Sequence, residues 1–291
     1  MSGEREGLVG CIPDLDPEQS EGEGTTAHRS PLTLLLFPLT LFLLTSHLLP
    51  LTACGTLPPL RGKIDVGRES YGVFVGGSGM NGDLYAVRGD GGPAFPLTFT
   101  TVAELRPALA PGGAEVAFLR GLSLRDSTPA TVWVLNLLNG AERELRLPKG
   151  AAPPERVGWS RDGTSLVVQA GLELYRVNAP PESSDPRAVP PAERTVAESS
   201  LAVLLGDPVF ARVVPCKRAE DLCVLPRTGA PGILAQAARD PLRWGTDSVA
   251  FFVGELLQIR PLAKGRPRLL NWSNVPVNPR QMTFFQVRGE R

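Results

Sequence analysis

Residue types that could support catalysis are unevenly distributed along this chain of 291 residues. Both histidines, His28 and His47, precede Cys54, so the rest of the chain has no imidazole for a general base or a metal site. Ser160 and Ser273 each follow a tryptophan, but neither lies in a G-x-S-x-G elbow. The sequence therefore predicts that the chain is not an enzyme.

The carboxylates form no catalytic or metal-binding pattern. Asp90, Asp162 and Asp247 stand at predicted turns, where a short polar side chain usually caps the backbone. Pairs such as Glu142 with Glu144 are common on solvated strands, and no D-x-D-x-D-G calcium loop is present. We expect no metal site and no cofactor.

Cys216 and Cys223 flank the segment KRAEDL at the tip of a predicted hairpin. Two cysteines opposed across antiparallel strands can reach disulfide geometry, and an exported chain meets an oxidising compartment. We predict a structural disulfide, with two packed thiols as the alternative. A redox site fits less well, because the spacing is not C-x-x-C and no histidine is available to lower a thiol pKa.

The charge and the small motifs argue against phosphate or nucleic acid as a ligand. The formal net charge is +0, which gives no broad attraction to nucleic acid. Lys264, Arg266 and Arg268 form only a small basic patch near Trp272. The glycine-rich loop from Gly76 lacks the lysine and the following helix of a phosphate-binding loop. We expect no nucleic acid partner.

The N-terminal region contains an apolar run from Pro31 to Pro50 without a charged residue. About twenty apolar residues could span a bilayer or form the core of a signal sequence. The run ends in Leu51, two small residues and Cys54. That order resembles the lipobox of bacterial lipoproteins, and the resemblance implies cleavage before Cys54 and lipidation of its thiol. An uncleaved anchor helix and a buried cysteine remain as alternatives.

These features divide the chain into four predicted parts. Residues 1–29 are acidic where a signal needs basic residues, so they form a disordered extension or a misassigned one, with the true start further along the chain. Residues 30–53 form the lipoprotein signal peptide and residues 54–70 a linker. Residues 71–291 form the folded domain. The resemblance implies a lipid-anchored position in the cell envelope, on the periplasmic or cell-surface side.

A repeat runs through the folded part. Five segments alternate apolar and polar residues and then break into a turn containing Gly or Pro, and each follows another strand-like run, which predicts five hairpins. Four of them are followed by a further strand-like run, and successive units lie roughly 34 to 48 residues apart, the size of a four-stranded propeller blade. The segments begin at Asp83, Thr131, Glu173, Asp221 and Glu255.

Three segments share a motif ahead of a strand. WSRDGTSLVV begins at Trp159, LAPGGAEVAF at Leu109, and the shorter WGTDSVAFF at Trp244. They resemble the W-S-P-D-G-x-x-I-A-F repeat of TolB-type, WD-repeat-like propellers. In the repeat Asp162 and Gly163 would form a tight turn and Asp247 a related one, while the tryptophans would fill the space between sheets.

We therefore predict an all-β fold, a β-propeller of five or six four-stranded blades preceded by an apolar N-terminal signal or anchor helix. The segment PVNPRQMTFFQV would close the ring as an outer strand of the first blade or begin a sixth. By fold-level analogy, the domain is expected to bind another envelope protein as a scaffold. The alternative is a small-ligand receptor or a carboxylate-dependent enzyme that uses the propeller channel.

Overall fold

The computed structural model describes residues 59–77, 81–121, 130–179, 193–195, 213–218, 221–225, 230–245, 247–262 and 265–287. All of them belong to the unit Gly55–Arg291. Within these ranges the regular structure consists of β-strands and no helix occurs. The all-β prediction is therefore confirmed for this part of the chain, whereas the predicted N-terminal helix lies outside it.

The described residues form twenty-one strands, most of them six or seven residues long. In chain order they are β1 (Tyr71–Gly76), β2 (Asp83–Arg88), β3 (Gly92–Pro93), β4 (Phe95–Pro96), β5 (Ala103–Leu109), β6 (Glu115–Gly121), β7 (Ala130–Asn136), β8 (Glu142–Leu145), β9 (Pro154–Trp159), β10 (Ser165–Ala170), β11 (Glu173–Asn178), β12 (Glu193–Thr195), β13 (Val213–Pro215), β14 (Leu222–Val224), β15 (Gly232–Ala235), β16 (Ala238–Trp244), β17 (Ser248–Val253), β18 (Leu256–Pro261), β19 (Arg268–Leu269), β20 (Trp272–Ser273) and β21 (Arg280–Phe285).

Most strands belong to five antiparallel sheets, counted within the described residues. Sheet 1 has the order β21-β1-β2-β4, sheet 2 β5-β6-β7-β8, sheet 3 β9-β10-β11-β12, sheet 4 β13-β14-β15 and sheet 5 β16-β17-β18-β19. A short parallel pair, β3 with β20, lies beside sheets 1 and 5. There Gly91 approaches the backbone so closely that an added Cβ would stand 2.2 Å from the Asn271 oxygen, so no larger residue fits.

All five predicted hairpins form, as β1–β2, β6–β7, β10–β11, β13–β14 and β17–β18. The expected face is only partly right. The third residue of each repeat is buried at Tyr175, Cys223 and Leu257, but Tyr85 and Trp133 are half-buried. In β2 and β7 the intervening positions are buried instead, because a sheet stacked between two others has two apolar faces.

Four apolar clusters lie between neighbouring sheets. They join sheets 1 and 2, sheets 2 and 3, sheets 4 and 5, and sheets 5 and 1. The two sheets of each of these pairs thus pack face to face, and sheet 1 contacts both sheet 2 and sheet 5. This succession is consistent with a propeller, in which the sheets stand around a common axis.

The C-terminal strand β21 closes this arrangement. It pairs with β1 and takes the edge of sheet 1 opposite β4, the position that β5, β9 and β16 take in their own sheets. The backbone N–H of Leu109 on β5 donates to Thr283 Oγ1 on β21 at 3.2 Å. The closing strand is therefore the inner strand of its sheet, and the expectation of an outer strand was wrong.

Residues 59–70 were expected to form a linker, but in the structure they pack against sheets 1 and 2. Leu60 is 1% exposed and Ile64 5%, and both join the cluster between these sheets. Backbone bonds from Lys63 and Ile64 to the Leu60 carbonyl form a tight turn. The folded part of the chain therefore includes this segment.

None of the residues described by the structure belongs to a helix that is long and apolar enough to cross a membrane.

Candidate functional site

The motif that begins at Trp159 occupies the end of β9 and the turn after it. Trp159 is 7% exposed, and its Nε1 donates to the Ala108 carbonyl of sheet 2 at 2.9 Å. Asp162 Oδ1 accepts from Ser160 Oγ at 2.6 Å and from the Thr164 N–H at 3.1 Å. These two donors lower the Asp162 pKa to about 2. The Trp159 ring and the Asp162 carboxylate therefore both make hydrogen bonds that stabilise the fold.

The motif that begins at Trp244, at the end of β16, contacts the neighbouring sheet through packing of its aromatic ring. Trp244 is also 7% exposed, and its ring stacks on Phe284 of β21 with a centroid distance of 3.8 Å. Asp247 Oδ1 accepts from Ser248 Oγ at 3.1 Å. Gly163 and Gly245 both have φ near +70° in the turns that follow the tryptophans, a conformation that glycine adopts without steric cost.

Cys216 and Cys223 are joined by a disulfide with Cα atoms 5.2 Å apart. They are not directly opposed, because Cys223 pairs with Val214 and the Cys216 N–H donates to the Asp221 carbonyl at 2.8 Å. The bond therefore runs diagonally across the hairpin. Both sulfurs are used in this bond, which closes the hairpin tip covalently.

Cys54, the predicted lipidation site, lies outside the described residues, as do Lys264 and the centre of the glycine-rich loop.

The inner strands carry a polar constellation that the sequence reasoning missed. Arg106 on β5, Asp240 on β16 and Gln281 on β21 each have φ near +50° and lie at irregularities in their strands. The Arg106 N–H donates to Gln281 Oε1 at 2.8 Å, and the Gln281 N–H donates to Asp240 Oδ2 at 3.0 Å. These bonds link the inner edges of sheets 2, 1 and 5.

A sequence signal for two of these irregularities was present. Pro107 and Pro241 directly follow Arg106 and Asp240, and proline inside a strand is largely confined to edges and bulges. Gln281 has no such marker.

Two arginines lie beside this constellation. Arg239 Nη2 donates to the carbonyls of Gly254 and Pro279 at 2.8 and 2.9 Å. Arg280 has buried Nε and Nη2 atoms with no hydrogen-bond partner. Burial lowers the Arg280 pKa, the nearby Arg239 lowers it further, and Asp240 acts in the opposite direction. Buried donors without acceptors are costly and infrequent in proteins.

A second buried network lies between sheets 1 and 2. The Glu104 side chain is fully buried, and its Oε1 accepts from Arg120 Nη2 at 2.7 Å while the Thr98 hydroxyl donates to its Oε2. Arg120 also pairs with Glu142 at 2.8 Å and lies 4.4 Å from the centre of the Trp133 ring. Burial raises the Glu104 pKa, and the bonds from Thr98 and Arg120 oppose that shift. Glu142, expected to be a solvated surface residue, is exposed and forms the outer end of this network.

No group of three or more potential ligands among the described residues could hold a metal ion.

The connections between strands form two loop faces. The first, here called the N-terminal face, contains segment 59–70 and the turn 110–114, since the Tyr71 hydroxyl donates to the Gly113 carbonyl and the Gly89 N–H to the Ser70 carbonyl. The opposite, or distal, face contains the hairpin turns after β1, β10 and β17 and the connections 97–102 and 274–279. Bonds from the Gly77 N–H to the Val277 carbonyl and from the Glu104 N–H to the Gly82 carbonyl hold that face together.

Exposed apolar side chains concentrate on the distal face. Phe99 is 94% exposed, Leu172 is fully exposed, and Leu256 and Val277 are about half exposed. Leu138 is the corresponding exposed residue beside the N-terminal segment. Ile233 and Leu269 lie on the outer strands β15 and β19.

No protein family model matches this chain, and no curated protein matches it. Solved structures similar to it include TolB from Acinetobacter baumannii, with 17% identity, a TM-score of 0.46, and coverage of 74% of this chain and 66% of TolB. A chain of a nidogen/laminin complex has 9% identity and a TM-score of 0.42, covering 75% of this chain and 98% of that one. The tricorn protease has 16% identity and a TM-score of 0.26, covering 65% of this chain and 19% of the protease.

Proposed function

We propose that this chain is a lipoprotein of the cell envelope, anchored to the membrane through acylated Cys54, whose β domain binds another protein and catalyses no reaction. The anchor is supported by the apolar run and the lipobox-like exit. A non-catalytic role is supported by the absence of histidine after Cys54 in the sequence. On the inner strands, polar groups of Arg106, Gln281 and Asp240 are used in hydrogen bonds to one another.

The observation that carries the binding role is the set of exposed apolar side chains on the distal face. Phe99 and Leu172 project from connections between strands that are fixed by apolar clusters beneath them. Burying one such side chain against a partner contributes about 1.5–3 kcal/mol. Because the loops are attached to a packed scaffold, little conformational entropy would be lost on binding.

The binding role is tested by purification of the tagged, full-length chain from detergent-solubilised envelopes after crosslinking. The double variant Phe99→Ser/Leu172→Ser is expected to lose the protein that copurifies with the unmodified chain. A control of the same design, Ile233→Ser/Leu269→Ser, removes two exposed apolar groups from the outer strands and should retain it. Loss of the partner from both variants, or no reproducible partner at all, would contradict the proposal.

The anchor is tested by intact-mass measurement of the chain extracted from membranes. Acylation predicts a chain that begins at Cys54 and is heavier than the peptide by its acyl groups. Cys54→Ser should release the protein from the membrane or leave the precursor uncleaved. An unmodified Cys54 in the native protein would refute the anchor and leave the binding role open.

A second candidate, a small-ligand receptor, is favoured by the unpaired Nε and Nη2 atoms of Arg280. An oxyanion such as phosphate or citrate would supply the missing acceptors. The test is thermal unfolding with each anion and with chloride at equal ionic strength. A shift specific to one oxyanion that disappears in Arg280→Met supports this role, and equal shifts for all salts reject it.

A further inference from the structure

We infer that the N-terminal face of the β domain is held against the lipid bilayer, so that the distal face points away from it. The inference rests on the proposed anchor at Cys54 and deepens it, because it names the surface that the membrane covers. The segment between Pro59 and Ser70, which the sequence predicted as part of a linker, packs onto sheets 1 and 2.

The packing of this segment fixes the point at which the tether leaves the domain. Leu60 and Ile64 are buried between sheets 1 and 2, and Lys63 lies 5.4 Å from the centre of the Phe95 ring. At its end, Glu69 pairs with Arg88 at 3.5 Å. These contacts hold the segment on the N-terminal face at both ends.

The remaining tether is short. Four residues separate Cys54 from Pro59, and the five Cα-to-Cα steps between them span at most about 18 Å when fully extended. Strands of six or seven residues make the domain roughly 20 Å tall along the strand direction. A domain anchored through so short a tether from one face cannot turn the opposite face to the membrane without releasing Leu60 and Ile64.

The surface chemistry of the segment is compatible with lipid headgroups. Arg61 and Lys63 are exposed, and Arg68 is exposed beside Asp65. Leu138 is 56% exposed and lines the same pocket of about 450 Å³ as Arg61 and Lys63. Basic and isolated apolar side chains together are typical of surfaces that lie at a membrane interface. The short tether holds this face close to the bilayer, and its side chains are compatible with contact with lipid headgroups.

The experiment compares two fluorescent positions in the mature, acylated chain, which begins at Cys54, reconstituted into phosphatidylcholine vesicles. Leu138→Cys places a label on the N-terminal face, and Leu172→Cys places one on the distal face. The other cysteines of the folded part, Cys216 and Cys223, are joined to each other. With a quencher attached to lipid headgroups, quenching at position 138 should be several-fold stronger than at position 172.

A tether variant provides the matched control. Inserting twenty Gly and Ser residues between Gly55 and Thr56 should abolish most of the difference between the two labels, because the domain could then rotate freely. Thermal unfolding of each labelled variant shows whether its fold is intact. A variant that fails is replaced by Asn139→Cys, from the same turn, or by Glu255→Cys, at the turn after β17.

Each outcome decides between the two proposals. Equal quenching of the two labels in a chain whose acylation is verified by mass overturns this inference and leaves the anchor standing. Stronger quenching at position 172 overturns it as well. If Leu138→Cys is shielded in native envelopes but not quenched in vesicles, a protein covers the N-terminal face and the inference is wrong. A chain without acyl groups that does not associate with vesicles refutes the anchor and this inference together.

Discussion

The hydrogen bond from Trp159 Nε1 to the Ala108 carbonyl offers a direct measure of how firmly neighbouring sheets are joined. Trp159 and Trp244 hold equivalent positions at the ends of inner strands and are equally buried. Their polar and ring contacts differ: Trp159 donates a hydrogen bond from sheet 3 to sheet 2, whereas Trp244 stacks on Phe284 of sheet 1. Replacing each tryptophan with phenylalanine therefore separates the contribution of packing from that of the hydrogen bond.

The expected magnitudes follow from these contacts. Phenylalanine buries about 40 Å² less apolar surface than tryptophan, which costs roughly 1 kcal/mol at 25 cal/mol per Å². Loss of the bond to the Ala108 carbonyl adds about 1 kcal/mol. Trp159→Phe should therefore lose about 2 kcal/mol of unfolding free energy and Trp244→Phe about 1 kcal/mol. For a domain of this size the melting temperature should fall by roughly 4–8 °C and 2–4 °C.

The assay is urea unfolding followed by far-UV circular dichroism, since removing a tryptophan changes the fluorescence signal itself. Calorimetry on the same variants gives the melting temperatures. Equal losses in the two variants would show that the inter-sheet hydrogen bond contributes nothing. A loss below about 0.5 kcal/mol in Trp159→Phe would contradict the view that this ring fills the space between sheets 2 and 3.

Three further outcomes are expected. Replacing Cys216 and Cys223 with serine should lower the unfolding free energy by about 2.5 kcal/mol in urea, the loop-closure entropy of an eight-residue ring, and reductant should have no further effect on that variant. Because the Asp162 pKa falls to about 2 from its usual 3.8, the contribution of this carboxylate to stability is complete above pH 3.8 and is lost as the pH falls through 2. Asp162→Ala should therefore flatten the acid limb of the stability–pH curve in that window, and an unchanged limb would contradict this account of the pKa. Arg280→Met should be neutral or stabilising by roughly 1 kcal/mol in anion-free buffer, because it removes buried donors without acceptors; a loss above that size in calorimetry would mean that the guanidinium has a partner.

The strands of the repeats were predictable because their cause is local. Alternating apolar residues and a following Gly or Pro are enough to predict a hairpin such as β17–β18, and the third strands β4, β8, β15 and β19 also fell where expected. The inner strands β5, β9 and β16 were not identified as strands. Pro107 and Pro241 interrupt two of them, and their pairing is irregular at those points.

The polar contacts between sheets could not be predicted for a different reason. Glu104 and Thr98 lie close in sequence, but their partner Arg120 reaches Glu142 on another strand only after sheet 2 has formed. Gln281 bonds to Arg106, 175 residues away. No local pattern encodes such pairs, because their distance is set by the order of the sheets.

The sequence alone determined the strand-rich character of this protein, the position of its turns and the lipobox-like exit at Cys54, since each depends on a few consecutive residues. The tertiary structure decided which strand closes the first sheet, that the segment after Pro59 belongs to the folded part, and which loops share a face. Those features depend on the packing of sheets against one another, where the burial of apolar surface between distant segments outweighs the preference of any single segment.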